Sequence, residues 1–207
     1  MRRRSRTLSN HETAHMKTAT AAIIMLLSLS GTCWSRIGET RDEVIKRYGT
    51  PRPQEYFKPA DEELLFDFDG WTIIVTLFKG RSVQEWYRKA TPAPAGGPGL
   101  RGELSQESVD LCLGANSAGQ EWKPLQKVRV HREMRDVGSS ENLERLLKAW
   151  SLNDGSRFAA YLRAVQGTWD RPQGYVDTVI ILSREWDDYL KLLEDKQRNE
   201  ALKKSGL

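Results

Sequence analysis

Cysteine and histidine are scarce in this 207-residue chain: there are two Cys and three His. That scarcity excludes a disulfide framework and a Cys/His zinc site, because no CxxC and no Cys/His pairing occurs. Long apolar runs are also missing. The longest, Ala19 to Leu29, is too short for the ~20 residues a bilayer span needs. The sequence has no P-loop, no GxGxxG between a strand and a helix, and no GxSxG elbow. Charge of one sign is lacking as well. The formal charge of +4 comes from the N-terminus, where Arg2, Arg3, Arg4, Arg6 and Lys17 face Glu12 alone. Residues 36–207 carry as many acids as bases, interspersed, so the clustered Lys/Arg footprint of a nucleic-acid-binding surface is absent.

What remains is organised. A basic stretch, the Ala19–Leu29 run and the small residues of Ser30-Gly31-Thr32-Cys33-Trp34-Ser35 follow in the order of a secretory signal peptide. Residues 1–35 are therefore expected to be a signal, with Met16 as an alternative start. Cleavage after Ser30, Cys33 or Ser35 fits, and Cys33 is the candidate lipid-attachment residue. His11 and His15 would leave with the signal, so any histidine-dependent centre would have to use His131, which lies in a basic, polar stretch and reads as exposed.

Residues 36–90 form a first expected module. Thr40-Arg41-Asp42-Glu43 has the grammar of a capping box, Val44, Ile45 and Tyr48 share a helical face, and Gly49 and Pro51 end the helix. Leu64, Phe66 and Phe68 alternate with Leu65, Asp67 and Asp69 as in a half-buried strand. Asp69-Gly70 and Lys79-Gly80 are turn signals that divide the stretch from Leu64 to Arg88 into a three-stranded meander. Residues 91–103 read as a Pro/Gly linker. Residues 104–207 form a second α+β module. It has a helix capped by Ser105 and buried through Val109, Cys112 and Leu113, then a short strand at Val128 and Val130. A hairpin about Asn153-Asp154-Gly155, a strand over Tyr175–Leu182 and a C-terminal helix started by Ser183 follow. That helix carries Trp186, Tyr189, Leu190 and Leu193, with i,i+4 pairs Asp187–Lys191, Glu194–Arg198 and Glu200–Lys204. The fold class is α+β: two small modules, each a short helix on an antiparallel meander, plus the final helix. Both halves share an outline of capped helix, hairpin with an Asp-Gly turn, and further strand.

Gly38-Glu39-Thr40-Arg41-Asp42-Glu43-Val44 followed by Tyr48-Gly49-Thr50-Pro51, with Phe78-Lys79-Gly80 and Val83 later, resembles the small BamE/SmpA-type outer-membrane lipoprotein domain over residues 37–88. The resemblance implies a helix followed by antiparallel strands and a non-catalytic, protein-binding part in the cell envelope. The second module resembles uncharacterised exported bacterial proteins only.

Carboxylates are the remaining catalytic option. Asp61, Glu62, Glu63, Asp67 and Asp69 cluster in sequence but read as solvent-face and turn residues. The seven tryptophans are the surplus. Trp71, Trp150 and Trp186 are expected in the core. Trp86 and Tyr87 are neighbours on one strand, so one ring must face outward. Trp86, Tyr87 and Trp169 are the candidate partner surface. The expectation is an exported, non-enzymatic binding or scaffold protein of the bacterial envelope, periplasmic or outer, with another envelope protein as partner. It has no cofactor, no metal, no nucleic-acid partner and no transmembrane helix in the mature chain. The alternatives are an extracytoplasmic hydrolase with paired carboxylates and a periplasmic inhibitor or peptide-binding module using a sheet edge.

Overall fold

The structure, a computed structural model, describes residues 37–52, 60–89, 101–131, 133–141, 143–167 and 172–205. The signal segment with Cys33, most of the 91–103 linker, and Trp169 lie outside the described residues.

Helix α1 (Arg41–Tyr48) starts where the sequence predicts. The Glu43 amide donates to the Thr40 hydroxyl, and the Thr40 amide donates to Glu43 Oε2 at 2.8 Å. Strands β1 (Glu62–Phe68), β2 (Trp71–Phe78) and β3 (Arg81–Lys89) form the expected antiparallel meander. Its turns carry positive φ at Asp69 and Gly70 (48° and 76°) and at Lys79 and Gly80 (52° and 73°). Two successive left-handed residues match the right-handed twist of the strands they join.

The expected linker ends early, because Arg101–Gly102 is already a short strand, β4, parallel to a later strand. Helix α2 (Gln106–Asn116) is capped by Ser105 and buries Val109, Cys112 and Leu113. The polar stretch that follows holds more strand than its sequence pattern indicates. It contains β5 (Trp122–Leu125), the two-stranded hairpin β6 (Lys127–Val130) and β7 (Glu133–Asp136), and β8 (Ser140–Glu141). Only β6 was foreseen, through Val128 and Val130. β5 contains Pro124, which is tolerated because this strand lies at the sheet's edge, where an amide need not be donated. β9 (Glu144–Leu152), β10 (Arg157–Gly167) and β11 (Pro172–Ser183) follow, and helix α3 (Arg184–Ser205) closes the described chain.

The two modules build one sheet. Its order is β1-β2-β3-β11-β10-β9-β5, and the third strand of the first module pairs antiparallel with the last strand of the second. Counted outward from the β3–β11 seam, each side presents its last, middle and first main strands in turn. Both modules fall in one compact unit.

The sheet has a core on each face. One holds α1 and α2, with Val44, Tyr48, Val109, Cys112 and Leu113 against Phe66, Ile73, Tyr87, Val179 and Ile181. The other holds the β6–β7 hairpin and α3, with Val128, Val130, Trp186 and Leu190 against Ile180, Leu182, Ala160 and Leu162. A sheet covered on both faces explains the continuous apolar run Val179–Leu182, which is buried throughout.

Two buried carboxylates face the α1/α2 side. Asp177 on β11 accepts from Arg163 Nε at 2.7 Å and Arg163 Nη2 at 3.0 Å, from the Leu104 amide at 3.1 Å and from the Tyr161 hydroxyl. Arg163 lies directly across from it on β10, so the strand register itself makes the pair. Glu85 on β3 accepts from the Tyr87 hydroxyl, whose oxygen accepts from Asn116 Nδ2 at 3.1 Å. Burial pushes the Glu85 pKa up to about 8.

The final helix is 22 residues long, and its residues beyond Asp195 are exposed. Of the three expected i,i+4 pairs only Glu194–Arg198 forms among the described residues, at 2.9 Å. Asp187 is instead claimed by Arg129 of the hairpin. No described helix is long and apolar enough to cross a membrane.

Candidate functional site

A cleft of about 710 Å³ opens on the α3 side of the sheet, under the β6–β7 hairpin. The meander supplies its floor. Strand alternation puts Ile74 of β2 and Gln84, Trp86 and Arg88 of β3 on this face, and Glu63 of β1 joins them. Val130 and His131 of the hairpin and Trp186 and Leu190 of α3 form the walls. Glu133, Arg135, Glu141 and Glu144 complete the lining.

Two arginines hold these walls. Arg129, only 3% exposed in its side chain, bonds Asp187 at 2.9 Å and Glu194 at 2.6 Å, which ties β6 to α3. Arg135, 5% exposed, reaches the Glu144 carboxylate at 3.4 Å and its carbonyl at 2.8 Å, and lies 3.7 Å from Glu141. That ties β7 to β8 and β9. With little water in reach, removing one partner of such a link leaves a buried charge uncompensated, so breaking it costs more than breaking an exposed ion pair.

Trp86 is half-buried. The His131 ring packs against it at 5.2 Å between centroids, and the Arg88 guanidinium lies over it at 5.5 Å. His131 occupies the hairpin turn with φ of 55°, and its Nε2 is 2.9 Å from Glu144 Oε2. Its hydrogen bond, and then the charges of His131, Arg135 and Arg88, hold the Glu144 carboxyl below the usual carboxylate range. Arg88 Nε donates to Thr178 Oγ1 at 3.2 Å. Among the described residues no carboxylate lies within ion-pair distance of Arg88. Burial lowers its pKa, and Glu144 partly offsets that at longer range. On the rim the neighbouring Glu141 carboxylate raises the Glu133 pKa.

The structure divides the expected partner surface. Trp86 lines the cleft. Tyr87 does not belong to any surface: it is 0% exposed, packed edge-on to Trp71 at 6.5 Å and hydrogen-bonded to Glu85. Adjacent strand residues point to opposite faces, and the face Tyr87 takes is covered by α1 and α2. Trp169 and Cys33 lie outside the described residues.

Of the sequence-clustered carboxylates, Asp61, Asp67 and Asp69 are exposed as expected, but Glu63 lines the cleft. His131 is exposed as its polar neighbours suggest, yet it has two specific partners. Arg88, Arg135, Glu133, Glu141 and Glu144 were not anticipated. The signal for Arg88 was its i+2 spacing from Trp86. The others sit in a stretch without periodicity, and no local pattern marks them.

Chemically the cleft can bind an apolar group on Trp86 and Ile74 and present charges of both signs around it. Glu133 and Glu141 share a rim rather than an apolar site, unlike a glycosidase acid. Among the described residues no group of three or more His, Cys, Asp or Glu is placed to hold a metal. The outer edge of β1 is bridged at Leu65 by Arg52 and carries Glu62, Glu63 and Asp67, which discourages an added strand.

No model of a known protein family matches the chain, and no curated protein sequence matches it. Among solved structures, the chain is similar to a cysteine-rich secretory protein from Staphylococcus aureus at 12% identity and a TM-score of 0.37. The match covers 72% of this chain and 45% of that one, so the chain spans less than half the length of that protein.

Proposed function

We propose that the protein is an exported, non-catalytic binding protein of the bacterial cell envelope, and that the cleft under the β6–β7 hairpin is its binding surface. The observation that carries this reading is a preformed, water-accessible cleft with the half-buried ring of Trp86 on its floor, braced by Arg129 and Arg135. Binding sites combine apolar floors with a few placed polar groups, and Trp and Arg dominate their energetics. The N-terminal order of basic, apolar and small residues supports export. The BamE/SmpA-like pattern of residues 37–88 supports an envelope role with another envelope protein as partner.

Two measurements test the reading in a bacterial host expressing the full chain. The first is intact mass after fractionation. A soluble species starting near Arg36, or an acylated one starting at Cys33, supports export; full-length protein confined to the cytosol refutes it. The second places a photo-crosslinking residue at position 133, on the cleft rim. Capture of an envelope component that Trp86→Ala abolishes supports the cleft as the binding surface. Capture indifferent to Trp86→Ala refutes it.

A second reading, an extracytoplasmic hydrolase, rests on Glu133 and Glu141, two carboxylates that line the same cleft, the first with its pKa raised by the second. Hydrolysis of a glycan or peptide substrate lost in Glu133→Gln and Glu141→Gln alike would favour it over pure binding.

A further inference from the structure

We propose that the cleft takes a zwitterionic ligand, a short peptide with free termini, whose carboxylate pairs with Arg88 and whose ammonium sits at the Glu133–Glu141 rim. The proposal rests on the cleft being the binding surface.

Arg88 is the starting point. A guanidinium has five N–H donors and cannot discard its charge. Here Nε is used on Thr178 and one face lies over Trp86, while no described carboxylate is within ion-pair distance. A partly desolvated guanidinium without a counter-ion is costly, and a carboxylate from outside would pair with it bidentately. Arg129 and Arg135, the two buried arginines of the hairpin over the cleft, each have carboxylate partners within the chain. Arg88 departs from that pattern, and it does so in the cleft.

The cleft's charge balance selects among anions. Four glutamates line it against two arginines. A phosphate or other polyanion would meet this excess of negative charge. A ligand with a single carboxylate and a cation of its own is neutral and matches both signs. Glu133 and Glu141 both line the cleft rim, where Glu141's charge disfavours that of Glu133, and Glu141's nearest described cation, Arg135, is 3.7 Å away; an ammonium between the two would offset their repulsion. Glu144 is already committed to His131 and Arg135. Trp86 and Ile74 line the same cleft and offer apolar surface to a peptide side chain. The volume of about 710 Å³ falls within the range of small-ligand sites.

The test is a titration of the full-length mature protein with the tripeptide Ala-Leu-Ala. The readouts are the Trp86 indole N–H signal, assigned with Trp86→Phe, and calorimetry. The same peptide N-acetylated, the same peptide C-amidated, and inorganic phosphate are run beside it. The expected result is saturable binding of the free tripeptide and a loss of about tenfold or more for each blocked form. Arg88→Gln should remove the discrimination against the amidated form only, and Glu133→Gln with Glu141→Gln that against the acetylated form only. Arg88→Lys retains the charge without the fork and should fall between. Equal binding of all three peptides, tighter binding of phosphate, or a free tripeptide indifferent to Arg88→Gln overturns the proposal. If no peptide binds while crosslinking at position 133 still depends on Trp86, the zwitterion assignment falls and the cleft reading stands. If that crosslinking is indifferent to Trp86, the cleft reading falls first.

Discussion

Glu85→Gln should make the protein's stability nearly independent of this site's protonation. Glu85 is 0% exposed, inside the α1/α2-side core. Tyr87 donates to one carboxyl oxygen, and Oε1 has no hydrogen-bond partner. Arg47 of α1 and Arg157 of β10 favour its ionised form, Glu39 opposes it, and Cys112 of α2 is near enough to feel its charge. Loss of water outweighs these, and the pKa rises from 4.5 to about 8. Below 4.5 the carboxyl is protonated in folded and unfolded chains alike. Between 4.5 and about 8 the unfolded chain releases the proton and the folded chain keeps it. Stability therefore falls as pH rises, by about 1.4 kcal/mol per pH unit, and levels off above the folded value. From pH 5 to pH 8 the loss is about 4 kcal/mol, a large part of the ~5–15 kcal/mol that holds a domain folded. The variant has no proton to lose at this position. Urea unfolding of both proteins at pH 5, 6, 7 and 8 isolates the effect, since every other titrating group contributes to both. The variant should gain on the wild type by about 4 kcal/mol across the range. A difference that stays constant with pH, or a Glu85 carboxyl carbon signal titrating near 4.5, would refute the reasoning.

Three other outcomes follow from the packing. Asp177→Ala removes the buried acceptor shared by Arg163, the Tyr161 hydroxyl and the Leu104 amide, leaving Arg163 to Glu103 at 3.6 Å and Tyr161 to the Leu104 carbonyl at 3.5 Å, and should cost about 3 kcal/mol in urea unfolding. Arg129→Met leaves Asp187 and Glu194 facing each other without their shared cation, so a loss of about 2 kcal/mol is expected, with earlier hydrogen exchange in β6 and β7 than in the central strands. The Cys112 thiol, fully buried and pushed up to about 12 chiefly by loss of water, should resist a thiol reagent at pH 8 and react once urea unfolds the chain.

Much of the local structure was legible because it is decided within a few residues. Thr40 and Glu43 cap α1 through atoms three residues apart, and Ser105 and Ser183 begin their helices in the same way. Asp69-Gly70 and Lys79-Gly80 set the meander because two adjacent left-handed residues are needed there. The alternation of Leu64, Phe66 and Phe68 named the buried face of β1 correctly. The exposed tail of α3 followed from the thinning of its apolar stripe after Leu193.

Tyr87 was grouped with Trp86 as a surface residue, and it lies in the core. β5 and β7 were read as irregular, since their residues carry no clear alternation and their pairing partners are distant or brief. Asp187 was assigned to Lys191, four residues on, but Arg129, 58 residues away, reaches it. For Tyr87, β5 and Asp187 the deciding partner lies far along the chain, and no short-range pattern records it; β7 pairs with the adjacent β6, but its short, polar stretch carries no alternation to announce a strand.

The division of labour follows from that. The sequence by itself determined the α+β class, the capped helices, the tight turns and most of the main strands, because these depend on backbone preference and on periodicity over a few residues. Tertiary structure alone decided that the two modules share one sheet through β3 and β11, and that both faces of that sheet are covered. It also brought Glu63, Trp86, Arg88 and His131 around one cleft. Those arrangements depend on which strand edges meet and which faces lose water, and both are settled by contacts between residues far apart in the chain.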